Sequence, residues 1–294
     1  MAGNTSNAEY NLYSSPFSLY SMMARHTCQL GPTTAGAEPP SIALRFVNHK
    51  KDENLREDYL VHVNPKGQVP AMTGGALTQP LTDSITITLH LAEQHYPSML
   101  PPEHAAVIRD LLKRIHAIPG LSFTNKNPTA EMAKYNPSPV EYILNNEKDI
   151  SPGYRKALEG KLKFHKEGNA VAFQPSVVAK AHADLQTIFA EITEHRKRSG
   201  AYDKESPPEW TFGKQVGPTA LDSHLLPLVL RCVDAGNAEL VPPELQRWAA
   251  AQAKGPVWQK VLHGRPTLWD PSMGPVEDMQ EMMTLCYDTL ACTH

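Results

Sequence analysis

The sequence has few of the features that mark disulfide-rich, metal-binding, membrane-spanning or nucleic-acid-binding proteins. Its four cysteines are scattered through 294 residues without a Cys-x-x-Cys pair, so we expect no disulfide framework. Its thirteen histidines form no His-Glu-x-x-His run, so we expect no metal site. No apolar run approaches the roughly 18 residues of a membrane span. With 28 basic and 31 acidic residues, the chain has no positive excess for a nucleic acid or a membrane surface.

Length and proline spacing predict two domains in a cytoplasmic protein. At roughly 100–200 residues per domain, 294 residues suffice for two. Residues 97–102 contain three prolines, which disfavours regular structure and indicates a linker. We therefore expect one domain over residues 8–97 and a second over residues 103–294. The N-terminus lacks the charged-then-apolar pattern of a secretion signal, which favours the cytoplasm.

Hydrophobic periodicity separates the two parts by type. The first part predicts a strand over 9–14, a helix over 18–30, a strand over 42–47, two short strands at 70–72 and 77–81, and a helix over 83–94. From residue 103 onward the pattern is helical, with candidates at 103–118, 151–168, 175–199, 219–235, 243–254 and 275–291. Thr219 and Asp222 have the spacing of a capping box at one helix start.

The segment from Asn64 to Pro70 is the most informative motif of the chain. A proline directly after Val69 in a turn-rich segment is a candidate cis bond. Such a bend would leave the Val69 N–H and C=O free to pair with an extended peptide as one more strand. Asp83 and Ser84 open a helix shortly afterwards, and its free N–H groups could hold a carboxylate. The pattern predicts a small peptide ligand with an acidic end.

These residues resemble the N-terminal domain of glutathione transferases, whose pattern is Asn-Pro-x-Gly-x-Val-Pro followed by Glu/Asp-Ser. The resemblance extends upstream to residues 10–18, Tyr-Asn-Leu-Tyr-Ser-Ser-Pro-Phe-Ser, and downstream to residues 217–222, Gly-Pro-Thr-Ala-Leu-Asp. It implies an α/β thioredoxin-like domain followed by an all-α domain, glutathione as cofactor, and a homodimer. Two segments exceed the usual length of this family, 119–152 and 255–294, and each is either surface ornament or a wall of a large substrate pocket.

The resemblance also assigns residues to the parts of glutathione. Val69 with Pro70 would pair with the ligand backbone, and Gln68 would reach its cysteinyl or glycyl part. Asp83 and Ser84 would hold the γ-glutamyl end. The glycyl carboxylate needs a cation or an amide, and the candidates in this part of the chain are Asn54, Lys66, His49 and Lys50. In this family a His or Lys near the place of Asn54 often serves.

The turn after the first strand would supply the hydroxyl that stabilises the glutathione thiolate. Free thiols have pKa values near 8.5, so an enzyme that uses glutathione must favour ionisation. Ser15, in a Ser-Pro-Phe run similar to that of plant-type serine transferases, is the preferred candidate, and a different alignment of the proline favours Ser14. Tyr13, Ser18 and Tyr20 crowd the same turn. His116, Phe123 and Tyr20 are candidates for the second-substrate pocket.

Three functions fit these expectations. The first is a glutathione transferase that adds the thiolate to an electrophilic small molecule, such as a secondary-metabolite intermediate. The second is an isomerase in which reversible thiolate addition to a polyene allows cis/trans rotation, as some relatives do, including fungal ones in natural-product pathways. The third is a non-catalytic glutathione-binding module.

Overall fold

The chain folds into a three-stranded sheet and ten α-helices, as seen in a computed structural model that describes residues 8–134, 137–147, 149–169, 171–201 and 209–283. The strands are β1 (Tyr10–Ser14), β2 (Ile42–Phe46) and β3 (Ala71–Gly74). The first helices are α1 (Leu19–Leu30), α2 (Glu57–His62), α3 (Ser84–Gln94), α4 (Ala105–Ala117) and α5 (Pro139–Asn146). They are followed by α6 (Pro152–Phe164), α7 (Pro175–Arg198), α8 (Ala220–Asp234), α9 (Pro243–Gln252) and α10 (Pro256–Leu262).

The sheet has the order β2-β1-β3, with β1 parallel to β2 and antiparallel to β3. Leu12, at the centre, lies opposite Leu44 on one side and Met72 on the other. The parallel pair requires a crossover, which α1 provides. The predicted strand over 77–81 was wrong: one bridge forms there, between Met72 and Leu81, and the Leu77 N–H instead closes a turn on the Gly74 carbonyl at 3.3 Å.

Helix α1 joins the sheet to the helical part, because it is buried on nearly every side. Ala24 and Cys28 belong to the core beneath the sheet, whereas Met22 and Met23 belong to the larger core formed with α4, α7 and α8. The predicted capping box at the start of α8 is confirmed, with the Thr219 side chain and Asp222 bonded reciprocally. The arrangement confirms a thioredoxin-like first part and an all-helical second part.

The two segments of extra length contain helices that the sequence did not reveal. Segment 119–152 holds α5, which forms a hairpin with α6 and packs with it against α2; α2 was itself missed in a passage read as turns. Segment 255–294 holds α10, whose Trp258 is buried in the main core. The predicted helix over 275–291 was wrong at its start, where 3₁₀ turns span Val276–Asp278 and Gln280–Met283, and the rest lies outside the described residues.

Two further absences concern the described ranges alone. None of the helices there is long and apolar enough to cross a bilayer. No group of three or more His, Cys, Asp or Glu side chains is arranged to hold a metal ion within those same ranges.

Candidate functional site

A cavity of about 880 Å³ lies where the first part of the chain meets the helical part. Its wall includes residues from the start of α1, the loop before β3 and the start of α3. The second part contributes the end of α4, the turns that follow it, and the end of α6. A space of this size accommodates a small peptide together with part of a second small molecule.

The loop before β3 presents a free peptide group to this cavity. The Val69–Pro70 bond is cis, as predicted. The carbonyl of Gln68 accepts hydrogen bonds from Tyr59 Oη at 2.7 Å and Asn64 Nδ2 at 2.8 Å, which fixes the loop from behind. Val69 makes no backbone hydrogen bond within the described part of the chain, and it lines the cavity together with Gln68 and Pro70. An extended peptide can therefore pair with Val69.

The start of α3 forms a second polar wall. Asp83 caps the helix, with its Oδ1 accepting the Thr86 N–H at 2.8 Å. Ser84 is buried, and its hydroxyl has no hydrogen-bond partner among the described residues. A buried hydroxyl without a partner is costly, and the free N–H groups of a helix start attract anions. This wall is suited to a carboxylate.

The turn that opens α1 separates the candidate hydroxyls. Ser14 is buried at the end of β1, its hydroxyl lacks a partner in the described chain, and neither Ser14 nor Ser15 belongs to the cavity wall. Ser18 does line the cavity and caps α1, accepting the Ser21 N–H at 3.4 Å. This cap uses only the oxygen of Ser18, so its O–H hydrogen stays available. Tyr20 also lines the cavity.

A chain of hydrogen bonds leads from the cavity into the core through two histidines. His116 lines the cavity, and its Nε2 lies 2.8 Å from Nδ1 of His224, which is fully buried. His224 Nε2 is 2.8 Å from the Thr88 hydroxyl, which in turn meets that of Thr27 at 2.8 Å. Burial lowers the pKa of His116 to about 4, so the ring is neutral at pH 7. Phe123, the other aromatic candidate, is buried in the main core instead.

Two cations also line the cavity, and the sequence did not point to either. Arg231 of α8 donates through Nη2 to the Phe17 and Thr267 carbonyls, both at 2.7 Å, and burial lowers its pKa to about 10. Lys161 of α6 donates from Nζ to the Gly67 carbonyl at 2.9 Å, and the same carbonyl accepts from Asn54 Nδ2 at 2.9 Å. Burial lowers the pKa of Lys161 to about 8.

The structure thus brings six of the eight predicted site residues to one cavity: Gln68, Val69, Pro70, Asp83, Ser84 and Asn54. Ser14 and Ser15 lie outside its wall, and the choice of a thiol-activating hydroxyl stays a prediction. Lys161 stands 107 residues beyond Asn54, so no local motif could have linked it to the site. The sequence shows only that Lys161 lies seven residues, or two helical turns, after Tyr154, so that both side chains lie on the same face of α6.

Comparison with solved structures identifies the architecture. The beta-etherase LigF from Sphingobium sp. strain SYK-6 superimposes with a TM-score of 0.58 at 17% identity, over 87% of this chain and 100% of that one. A structure of Ure2p in complex with glutathione gives a TM-score of 0.56 at 14% identity, over 87% and 98% of the two chains. The chain has the glutathione transferase fold.

Poplar glutathione transferase F1 shares this fold too, with a TM-score of 0.52 at 14% identity, over 87% of this chain and 98% of its own. No protein-family model matches the chain, and no curated protein matches it either. At such low identities the glutathione transferase fold is what these structures have in common with the chain.

Proposed function

We propose that this protein binds glutathione and ionises its thiol for addition to an electrophilic small molecule. The observation that carries the proposal is the free peptide group of Val69, set in one cavity with the start of α3 and the start of α1. Val69 supplies a strand-like partner for the middle of the tripeptide. The start of α3, with Asp83 and Ser84, is suited to its α-amino acid end: the helix N–H groups take the carboxylate and Asp83 the ammonium.

The thiol would then lie near the start of α1. The helix dipole favours a negative charge there, and a hydroxyl that donates to the sulfur stabilises the thiolate further. Ser18 has the better access to the cavity, and Ser15 has the sequence motif. The remaining wall, with Tyr20, His116 and the turn around Gly120, is the part left for the electrophile.

Glutathione-bound relatives of this fold support the cofactor, since one of the matching structures is Ure2p in complex with glutathione. One matching structure is named a beta-etherase and another a glutathione transferase, so the fold alone does not determine the reaction. A cytoplasmic homodimer remains part of the proposal, by analogy with the fold.

The direct test is the absorbance of the glutathione thiolate near 240 nm, measured as a difference spectrum while the pH of a mixture with the protein is raised. We expect ionisation at least one pH unit below that of free glutathione. Ser14→Ala, Ser15→Ala and Ser18→Ala, measured in parallel, identify the hydroxyl: the variant that returns the ionisation toward the free value has lost the donor. Binding without any shift would refute thiol activation and leave a non-catalytic module.

Mass spectrometry of reaction mixtures separates the two enzymatic alternatives. A transferase consumes glutathione and gives a product heavier by the added tripeptide. An isomerase changes the retention and absorption of a polyene without a change in mass or in glutathione concentration. The second outcome would replace conjugation by reversible addition at the same thiolate.

A further inference from the structure

Lys161 is a buried cation with no carboxylate to pair with in the described part of the chain. It is 6% exposed, and its ammonium group makes one hydrogen bond, to the Gly67 carbonyl. None of the ion pairs there includes it, and burial alone accounts for its lowered pKa. A buried ammonium has a high desolvation cost unless an anion compensates it. Two of its three N–H donors remain unused.

Helix α6 holds this ammonium firmly at the cavity. Tyr154, Leu158 and Lys161 lie on one face of the helix. Tyr154 Oη donates to the Leu55 carbonyl at 2.7 Å, and Leu158 is fully buried in the small core shared with α2. These contacts dock α6 on the first part of the chain and bring Lys161 to the cavity wall beside Asn54.

We propose that Lys161 binds the glycyl carboxylate of glutathione. The proposal rests on the function proposed above and names the partner of the ligand's second acidic end. The start of α3 accounts for one carboxylate of the tripeptide, and the other still needs a cation. Arg231 is the other lysine or arginine that the described ranges place on the cavity wall, and its Nε and Nη2 already donate to Thr267 and Phe17. Lys161 has the donors to spare.

A cation at the glycyl end makes the free carboxylate of the ligand a requirement for tight binding. The protein should prefer glutathione to analogues in which the glycyl carboxylate is masked, since a neutral ester cannot compensate the ammonium. A charge-assisted hydrogen bond contributes about 1.5–3 kcal/mol, which corresponds to a roughly 10–100-fold difference in affinity.

Isothermal titration calorimetry with glutathione and with its glycyl ethyl ester tests the proposal. We expect the wild-type protein to bind glutathione roughly 10–100-fold more tightly than the ester. Lys161→Met should remove this preference, weakening glutathione to the level of the ester while leaving the ester unchanged. Lys161→Arg should restore part of the preference, because it keeps the positive charge.

Two matched variants separate the charge from the packing of α6. Lys163 lies on the same helix, and its side chain is 72% exposed. Lys163→Met should therefore leave the affinities for glutathione and for the ester unchanged. Tyr154→Phe removes the hydrogen bond to Leu55 that docks the helix, so it should weaken both ligands in proportion and preserve their ratio. Urea unfolding of each variant confirms that it is folded.

Three results would overturn the assignment, and they differ from one another. Equal wild-type affinity for glutathione and the ester would show that no cation recognises the glycyl end, while glutathione binding itself would stand. A uniform loss of both ligands in Lys161→Met would make the lysine a structural residue. Binding of neither ligand by the wild-type protein would refute the proposed function together with this inference.

Discussion

Replacing Asp222 with alanine should be among the most destabilising single changes in the helical part of this protein. The carboxylate is fully buried, and four donors converge on it. Oδ1 accepts from the N–H and hydroxyl of Thr211 at 3.0 and 2.7 Å, and Oδ2 accepts from the N–H and hydroxyl of Thr219 at 2.9 and 2.7 Å. It also compensates Arg196, a buried guanidinium.

The cost follows from what alanine leaves behind. The hydroxyls of the two threonines can turn to other acceptors, but their buried backbone N–H groups cannot, at about 1–3 kcal/mol for each. Loss of the compensating charge near Arg196 adds to this. We expect Asp222→Ala to lower the free energy of unfolding by about 3–5 kcal/mol. Asp222→Asn should lose about 2–3 kcal/mol, because its amide can accept on one side only.

Urea unfolding followed by circular dichroism measures these differences. The control is Asp110→Asn, which removes a carboxylate that is 58% exposed and paired with Arg114 one turn away. It should change stability by less than about 0.5 kcal/mol. If Asp222→Ala proved as mild as Asp110→Asn, the four hydrogen bonds to Asp222 would not stabilise the fold as their geometry indicates.

The buried His26 ring, the packing at Gly31 and the Ser84 hydroxyl each lead to a further prediction. Burial lowers the pKa of His26 to about 4, so between pH 6.5 and pH 4 the unfolded state binds a proton that the folded state does not. The free energy of unfolding is therefore unaffected by His26 above pH 6.5 and falls by up to about 3 kcal/mol as the pH is lowered toward 4. His26→Gln should therefore show a smaller drop in urea midpoint between pH 7 and 4.5 than the wild type, and an equal drop would contradict this. Gly31→Ala would place a methyl group 2.2 Å from the buried Tyr96 ring, so it should lower the free energy of unfolding, measured by thermal melting, by about 1–3 kcal/mol or more. Its control, Gly160→Ala on the open face of α6, should raise that free energy by up to about 1 kcal/mol. Ser84→Ala should weaken glutathione binding about tenfold in calorimetry with little change in unfolding midpoint, since its hydroxyl has no partner to lose among the described residues. A large loss of stability would instead make the hydroxyl structural.

Local chemistry explains which features could be predicted from the sequence. The cis bond before Pro70 and the helix start at Asp83 each depend on a few neighbouring residues, and both were predicted correctly. The capping box of Thr219 and Asp222 is equally local. The prediction of a strand over 77–81 failed because hydrophobic alternation suggested a ladder, whereas the Leu77 N–H closes a turn on the Gly74 carbonyl. Helix α5 was missed because its eight residues follow a segment rich in asparagine and proline.

The sequence by itself determined the α/β-then-α order of the fold, the peptide group offered by Val69 and the polar helix start at Ser84, because each depends on neighbouring residues. Only the tertiary structure decided which hydroxyl reaches the cavity and which cation stands at its wall. Ser18, the N-cap of α1, lies on the cavity wall, and Ser15 does not. Lys161 reaches Gly67 because the packing of α6 on α2 brings together residues that are 94 positions apart. Contacts of that separation follow from how helices dock, which no local pattern encodes.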